Sequence, residues 1–228
     1  MSWSSADLAI VMLSVKVAAV ATVVTLPLAV AVALLLARTR FWGRSLVNAI
    51  VHLPLVVPPV VTGYLLLTVF GRRGPVGAFI EDVFGFTFAF RWTGAALAAG
   101  LMGFPLMVRA IRQAIESVDR RYEEAAWTLG ASHGWTLAAV TLPLALPGVL
   151  SGLILGFAKA LGEFGATITF VSNIPGETQT LALAIYSLTQ VPGGEVHLWR
   201  LVSLSIAISF AALLLSELLA RRLERRQR

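Results

Sequence analysis

Apolar residues run through this chain in long blocks separated by short charged stretches. Five blocks, at about residues 10–36, 47–70, 93–111, 145–171 and 201–220, approach or exceed the 20 or so apolar residues that a helix needs to cross a bilayer. The pattern predicts an all-α, polytopic membrane helix bundle of five transmembrane helices, with six as the variant count. It is read as one transmembrane domain over residues 1–228. The first block is a retained span, not a secretory signal: no basic residue precedes it, Lys16 falls inside it, and it is too long for a signal core.

Within the blocks, the departures from plain hydrophobicity carry the information. The second contains Pro54, Pro58, Pro59 and Gly63. Each proline removes a backbone donor and crowds the preceding turn, so a kink or break is expected. A broken helix at Pro58 and Pro59 either lines a translocation pathway or gate, or only serves packing. The fourth block carries Gly148, Gly152 and Gly156, a smooth stripe for close helix packing, within the chain or with a second copy. Beyond it stand Lys159 and Glu163, one turn apart, expected to pair because either charge alone is costly in lipid. The pair is read as structural, with direct substrate contact as the alternative. Thr167, Thr169, Ser172 and Asn173 follow, and they either offer neutral donors to an oxyanion or bond to their own helix carbonyls.

The connections add less. Residues 71–92 hold Arg72, Arg73 and the series Phe79, Phe84, Phe86, Phe88, Phe90 and Trp92, which suits a strand or an interfacial segment. The two arginines attract an anion or a partner, or form a solvated turn. Residues 180–190 predict a short outer helix. The basic end, Arg221, Arg222, Arg225, Arg226 and Arg228, is explained by attraction to anionic lipid headgroups.

Composition agrees: 57% of the 228 residues are hydrophobic and 13% charged, with a mean hydropathy of +0.83. The net charge of +6 reflects membrane topology and not nucleic acid, because the arginines flank apolar spans. One set of connections carries Arg38, Arg40, Arg44, Arg109, Arg112, Arg120, Arg121 and the basic C-terminus. The other has only Lys16, Arg72, Arg73, Arg91 and Arg200. The richer side is therefore expected in the cytoplasm, with the C-terminus inside and the N-terminus outside. With no cysteine, disulfides and thiol chemistry are excluded, and His52, His133 and His197 lie far apart. No phosphate loop, nucleophile elbow or metal cluster is present in the sequence, so the chain is expected to catalyse nothing and to hold no cofactor.

The remaining charged connection, residues 119–143, is the most specific stretch. Asp119 is a good N-cap, 120–129 favours helix, Gly130 suits the left-handed residue that ends one, and Ser132 starts another. Glu124, Ala125, Ala126, Gly130, Leu142 and Pro143 then fall at the offsets Glu-Ala-Ala, three residues, Gly, nine residues, Ile, one residue, Leu-Pro, with Val140 in place of Ile. This resembles the cytoplasmic coupling loop of bacterial binding-protein-dependent ABC importer permeases. Three further stretches, 52–61 with 71–74, 109–112, and 161–167 through 175–178, resemble molybdate permeases, and sulfate and thiosulfate permeases are similar in several of them.

The resemblance implies a type I permease in the bacterial inner membrane. It would work as a homodimer with two ABC ATPase subunits, which hold the ATP and Mg, and an external molybdate-binding protein. Glu124, Ala125, Ala126, Gly130 and Ala131 would couple it to the ATPase, and transport of molybdate, with tungstate as a second cargo, would proceed by alternating access. An ion-coupled transporter using Lys159 and Glu163, and a membrane-embedded enzyme, are the competing classes; the absence of an internal repeat and of catalytic groups speaks against them.

Overall fold

In the computed structural model the described residues, 5–227, are built from helices, with no strand among them. The side chains at 215–217 and 219–228 lie outside the described residues, and so do those of the basic tail Arg221, Arg222, Arg225, Arg226 and Arg228. The elements are α1 (Ser5–Arg38), α2 (Arg44–Val56), α3 (Pro59–Phe70), α4 (Pro75–Phe84), α5 (Trp92–Ser117), α6 (Arg120–Thr128), α7 (His133–Thr136), a π-helical turn (Leu137–Thr141), α8 (Leu142–Leu161), α9 (Gly165–Val171), α10 (Leu181–Thr189) and α11 (Glu195–Gln227).

Four stretches are long and apolar enough to cross a membrane: Ser5–Arg38, Trp92–Ser117, His133–Leu161 and Glu195–Leu214. Arg44–Val56 and Pro59–Phe70 supply a fifth if that pair is one span; no sixth occurs among the described residues. The pair is bent by 110°. The break falls where Val57 and Pro58 are extended and Pro59 opens the next helix, because a residue before proline is pushed out of the helical region and Pro58 has no N–H to continue the ladder.

The centre of the bundle is α5, held between α1 and α8 by small residues. Ala18, Ala21, Ala95, Ala98 and Ala99 are buried in one core cluster, and Ala29, Ala33, Met107, Val108, Ile111 and Ile115 in a second. A Cβ on Gly103 would meet the Gly156 carbonyl oxygen at 3.0 Å, and one on Gly100 would meet Thr25 Cγ2 at 2.9 Å. Packing this close is how apolar helices associate in lipid, where hydrophobic burial gives no preference for another helix.

One alternative falls and one expectation is corrected. The phenylalanine series forms no strand: Phe79 and Phe84 sit on α4, and Phe86, Phe88 and Phe90 in the loop after it. Pro75 at the first turn and Gly85 at φ +63 delimit a helix there. Phe88 then packs edge-on to Phe70 and Phe86, with ring centroids 6.0 and 4.9 Å apart. The fourth span also departs from residues 145–171: it begins at His133 and stops at Leu161, and Gly165–Val171 is a separate helix. Glu163 causes the break, because its carboxylate accepts from the Ala166 N–H at 3.0 Å and starts a new helix.

Candidate functional site

The charged loop folds as its residues dictate. Asp119 Oδ1 accepts from the Arg121 N–H at 3.0 Å and opens α6. At the other end Gly130, at φ +86, lets Gly130 N–H reach the Trp127 carbonyl at 2.9 Å and Ala131 N–H the Ala126 carbonyl at 3.0 Å. That is the paired closure of a Schellman cap, which needs a left-handed residue at this point. Ser132 Oγ accepts from the Trp135 N–H at 3.3 Å and starts α7.

From α7 the chain enters the span through the π-helical turn, where the Leu142 N–H donates to the Leu137 carbonyl. A proline ring crowds the carbonyl four residues before it, here that of Ala139, and a widened turn relieves the clash. The Leu-Pro of the motif thus has a structural consequence: Thr141 is turned inward and buried.

Helix α6 has two faces. Glu123 and Ala126 are buried, while Glu124 and Ala125 are exposed. The Glu123 carboxylate lies 2.9 Å from Arg38 Nη2, at the end of α1, and Oε1 accepts from Thr141 Oγ1 at 2.7 Å. Glu123 thereby ties α6 to two long helices at once. The sequence reading singled out Glu124 and passed over Glu123; the available signal was its position three residues before Ala126, on the same helical face.

On the exposed side a groove of about 790 Å³ is lined by Tyr122, Ala125, Ala126, Leu129, Gly130, Ala131, Ser132, Trp135 and Val140. Leu129 is 89% exposed, and Tyr122 and Trp135 are each 60% exposed. The small side chains of Ala125 and Ala131 keep it open, and such a concentration of exposed apolar groups marks a contact surface.

The predicted pathway residues gather at the far end of α8, a helix of 20 residues and therefore roughly 30 Å long. Lys159 Nζ and Glu163 Oε2 pair at 2.6 Å, with Glu163 only 2% exposed. Pro58 and Pro59 reach the same region: a Cβ on Gly165 would meet Pro59 Cβ at 2.7 Å, and one on Gly63 would meet the Ala166 carbonyl oxygen at 2.5 Å. The bent pair therefore rests directly on α9. Thr167 Oγ1 donates to the Phe164 carbonyl at 2.8 Å and Thr169 Oγ1 to the Gly165 carbonyl at 3.0 Å. In this conformation both hydroxyl protons are committed to the helix.

Ser172 and Asn173 turn away toward α10. Ser172 has φ +62, and its carbonyl accepts from Thr178 Oγ1 at 3.1 Å. Asn173 Nδ2 donates to Ser187 Oγ. Gly148, Gly152 and Gly156 face α5 of the same chain: Cβ atoms there would meet Ala114, Ile111 and Met107. Among the described residues no three His, Asp or Glu side chains gather as metal ligands.

Residues 9–228 match the family described as binding-protein-dependent transport system inner membrane component. The chain belongs to that family. It is 52% identical over 220 residues to the molybdenum transport system permease protein ModB of Haemophilus influenzae, covering 96% of each chain. It is 56% identical over 211 residues to ModB of Escherichia coli K12, covering 92% of each. The fold of this permease also matches a bacterial ABC transporter that imports alginate, with a TM-score of 0.75 at 17% identity over 96% of this chain and 80% of that one. An inward-facing MetNI methionine ABC transporter gives a TM-score of 0.73 at 16% identity over 97% and 99%.

Proposed function

We propose that this chain is the membrane-spanning subunit of an ATP-driven importer that carries molybdate into the bacterial cytoplasm. The observation that carries the substrate is the identity of 52% and 56% to molybdenum permeases across nearly the whole chain. Two copies would form the passage. Two separate ABC ATPase subunits, holding ATP and Mg, would seat on the α6 groove, and an external molybdate-binding protein would deliver the anion. The end of the bundle bearing α6 and the arginine-rich connections would face the cytoplasm, which puts the N-terminus outside.

In this reading Ala125, Ala126, Gly130 and Ala131 shape the seat, Glu124 lies on the exposed side of α6, and Glu123 transmits its movement. When the ATPases close, α6 is carried with them. The Arg38 and Thr141 contacts of Glu123 pull on α1 and α8, and α8 moves the Lys159–Glu163 corner against α9 and the bent pair at Pro58 and Pro59. Neutral donors at Thr167, Thr169, Ser172 and Asn173 become available to an anion only if their present bonds are exchanged during that movement.

Sulfate is the second reading, supported by 38% identity over 151 residues to a probable sulfate permease of Chlorella vulgaris. The test is uptake of labelled molybdate into proteoliposomes holding the permease, its ATPase and its binding protein. ATP-dependent uptake that excess sulfate does not reduce is the expected result. Uptake that needs no ATPase, or that sulfate abolishes, refutes the reading.

A further inference from the structure

Between α2 and α5 lies a cleft of about 440 Å³ lined by Asn48, His52, Arg109, Arg112, Gln113 and Glu116. On α5 these residues recur at the three- and four-residue spacing of one helical face, while Met107, Val108, Ile111 and Ile115 are buried on the other. On α2, Asn48 and His52 stand one turn apart. Counting from Ser117, the last residue of α5, and Arg44, the first of α2, Arg109 and His52 lie roughly 12 Å along their helices from the α6 end, at 1.5 Å per residue. Two polar stripes therefore face each other within helices that are otherwise apolar.

The charges in the cleft do not balance. Arg112 Nη1 donates to Asn48 Oδ1 at 3.1 Å and its Nε to Glu116 Oε1 at 2.8 Å, and Arg44 Nη2 lies 3.6 Å from the same carboxylate oxygen. His52 Nδ1 donates to the Asn48 carbonyl at 2.8 Å. Arg109 has no partner among the described residues. Two guanidinium groups thus share one carboxylate, and Arg109, exposed on the same face of α5 about one turn before Arg112, adds a further cation to the cleft with no carboxylate of its own among the described residues, which leaves it open to an anion. Planar guanidinium donors beside the Gln113 amide match the oxygens of a tetrahedral dianion.

We propose that this cleft is an oxyanion site on the α6 side of the transport barrier, with Arg109 as its main contact and Gln113 and Arg112 as further donors. The inference rests on the proposed function for its direction: the cleft is the anion's last station before the cytoplasm. Glu116 keeps it weak, because an exit site must release what it holds. The phosphate of an anionic lipid has the same chemistry, and the experiment separates the two sources.

The purified permease, without partner subunits, is placed in nanodiscs of phosphatidylcholine alone, and equilibrium binding of labelled molybdate is measured. Saturable binding is expected. Arg109→Gln weakens it about tenfold or more, as the loss of one charge-assisted hydrogen bond predicts, while Arg109→Lys retains most of it. Absence of binding, or binding indifferent to Arg109→Gln, overturns the site. So does native mass spectrometry that finds anionic phospholipid held by the wild type and not by Arg109→Gln, with no molybdate bound in the phosphatidylcholine discs. ATP-driven uptake by the complete transporter is run in parallel. Uptake without Arg109-dependent binding removes this site and leaves the importer reading intact, and Arg109-dependent binding without uptake does the reverse.

Discussion

Arg38 and Glu123 form an ion pair of 2.9 Å between the end of α1 and the buried face of α6, with side chains 14% and 8% exposed. Removing one member of such a pair strands the other and costs about 3–5 kcal/mol. Glu123→Ala is therefore expected to lower the thermal stability of the purified permease sharply. Arg38→Met combined with Glu123→Leu is expected to recover most of the loss. Uptake is expected to stay low in the double variant, since the mechanical link is gone while the fold is restored. Normal uptake there refutes the transmitting role of Glu123.

Ala125 lines the groove with an exposed methyl, and Gly130 holds the turn below it. Ala125→Trp fills the space offered to a partner and leaves the helix itself unstrained. Its expected signature is a normal amount of folded permease that fails to copurify with the ATPase. Gly130→Pro acts differently: proline fixes φ near −65°, incompatible with +86°, and removes the N–H bonded to Trp127. It is expected to abolish uptake, whereas Gly130→Ala costs about 1–2 kcal/mol and leaves uptake reduced. Copurification and uptake rates together distinguish the two.

Much of the charged loop at 119–143 was legible from local chemistry alone, because caps and a left-handed glycine are decided by neighbours in sequence. Asp119, Gly130 and Ser132 read correctly for that reason. The break near Pro58 was legible for the same cause, a missing donor. Glu123 was missed because its partners, Arg38 and Thr141, are distant in sequence and only packing brings them together. The stop at Leu161 was missed too: an apolar run through to Val171 looks like one helix, and only the inward turn of Glu163 to the Ala166 N–H divides it. Arg109 and Arg112 were counted as connection charges, although both lie within α5.

The glycine stripe gives a steric prediction. A Cβ on Gly156 would approach Met107 Cγ and Sδ at 2.5 Å, and one on Gly152 would approach Ile111 Cγ1 at 2.8 Å. Gly156→Leu must separate α5 from α8, and overpacking of this kind costs about 1–3 kcal/mol. Reduced accumulation in the membrane and a lower unfolding temperature are expected. Gly156→Leu with Met107→Ala should regain part of both, and a failure to do so would place the stripe's contact elsewhere.

Glu81 offers a pH test outside the spans. The hydrogen bond from Arg72, at 3.0 Å from Nε, holds its carboxyl below the ordinary value. A depressed carboxyl stabilises the fold above the ordinary carboxylate range and loses that contribution as pH falls through the lowered value. Arg72 is shifted upward and stays charged throughout. The protection of α4 amides, taken as the exchange rate relative to the intrinsic rate at each pH, is therefore expected to fall on acidification in the wild type, and to stay level over the same range in Glu81→Gln.

Lys159 and Glu163 are unequally placed, with side chains 30% and 2% exposed. Lys159→Met leaves a buried carboxylate without its cation, whereas Glu163→Gln leaves a lysine that can reach toward water and keeps an oxygen for the Ala166 N–H. The lysine variant is therefore expected to be the less stable, by about 2 kcal/mol or more, given the cost of an uncompensated charge. Joining the two changes should restore stability to near that of Glu163→Gln alone, and thermal unfolding of the four proteins measures the coupling directly. Uptake then decides what the pair is for. A stable double variant that imports at the wild-type rate makes it a structural corner joining α8 to α9. One that is stable but inactive means that the charges themselves meet the anion or drive the movement of the bent pair.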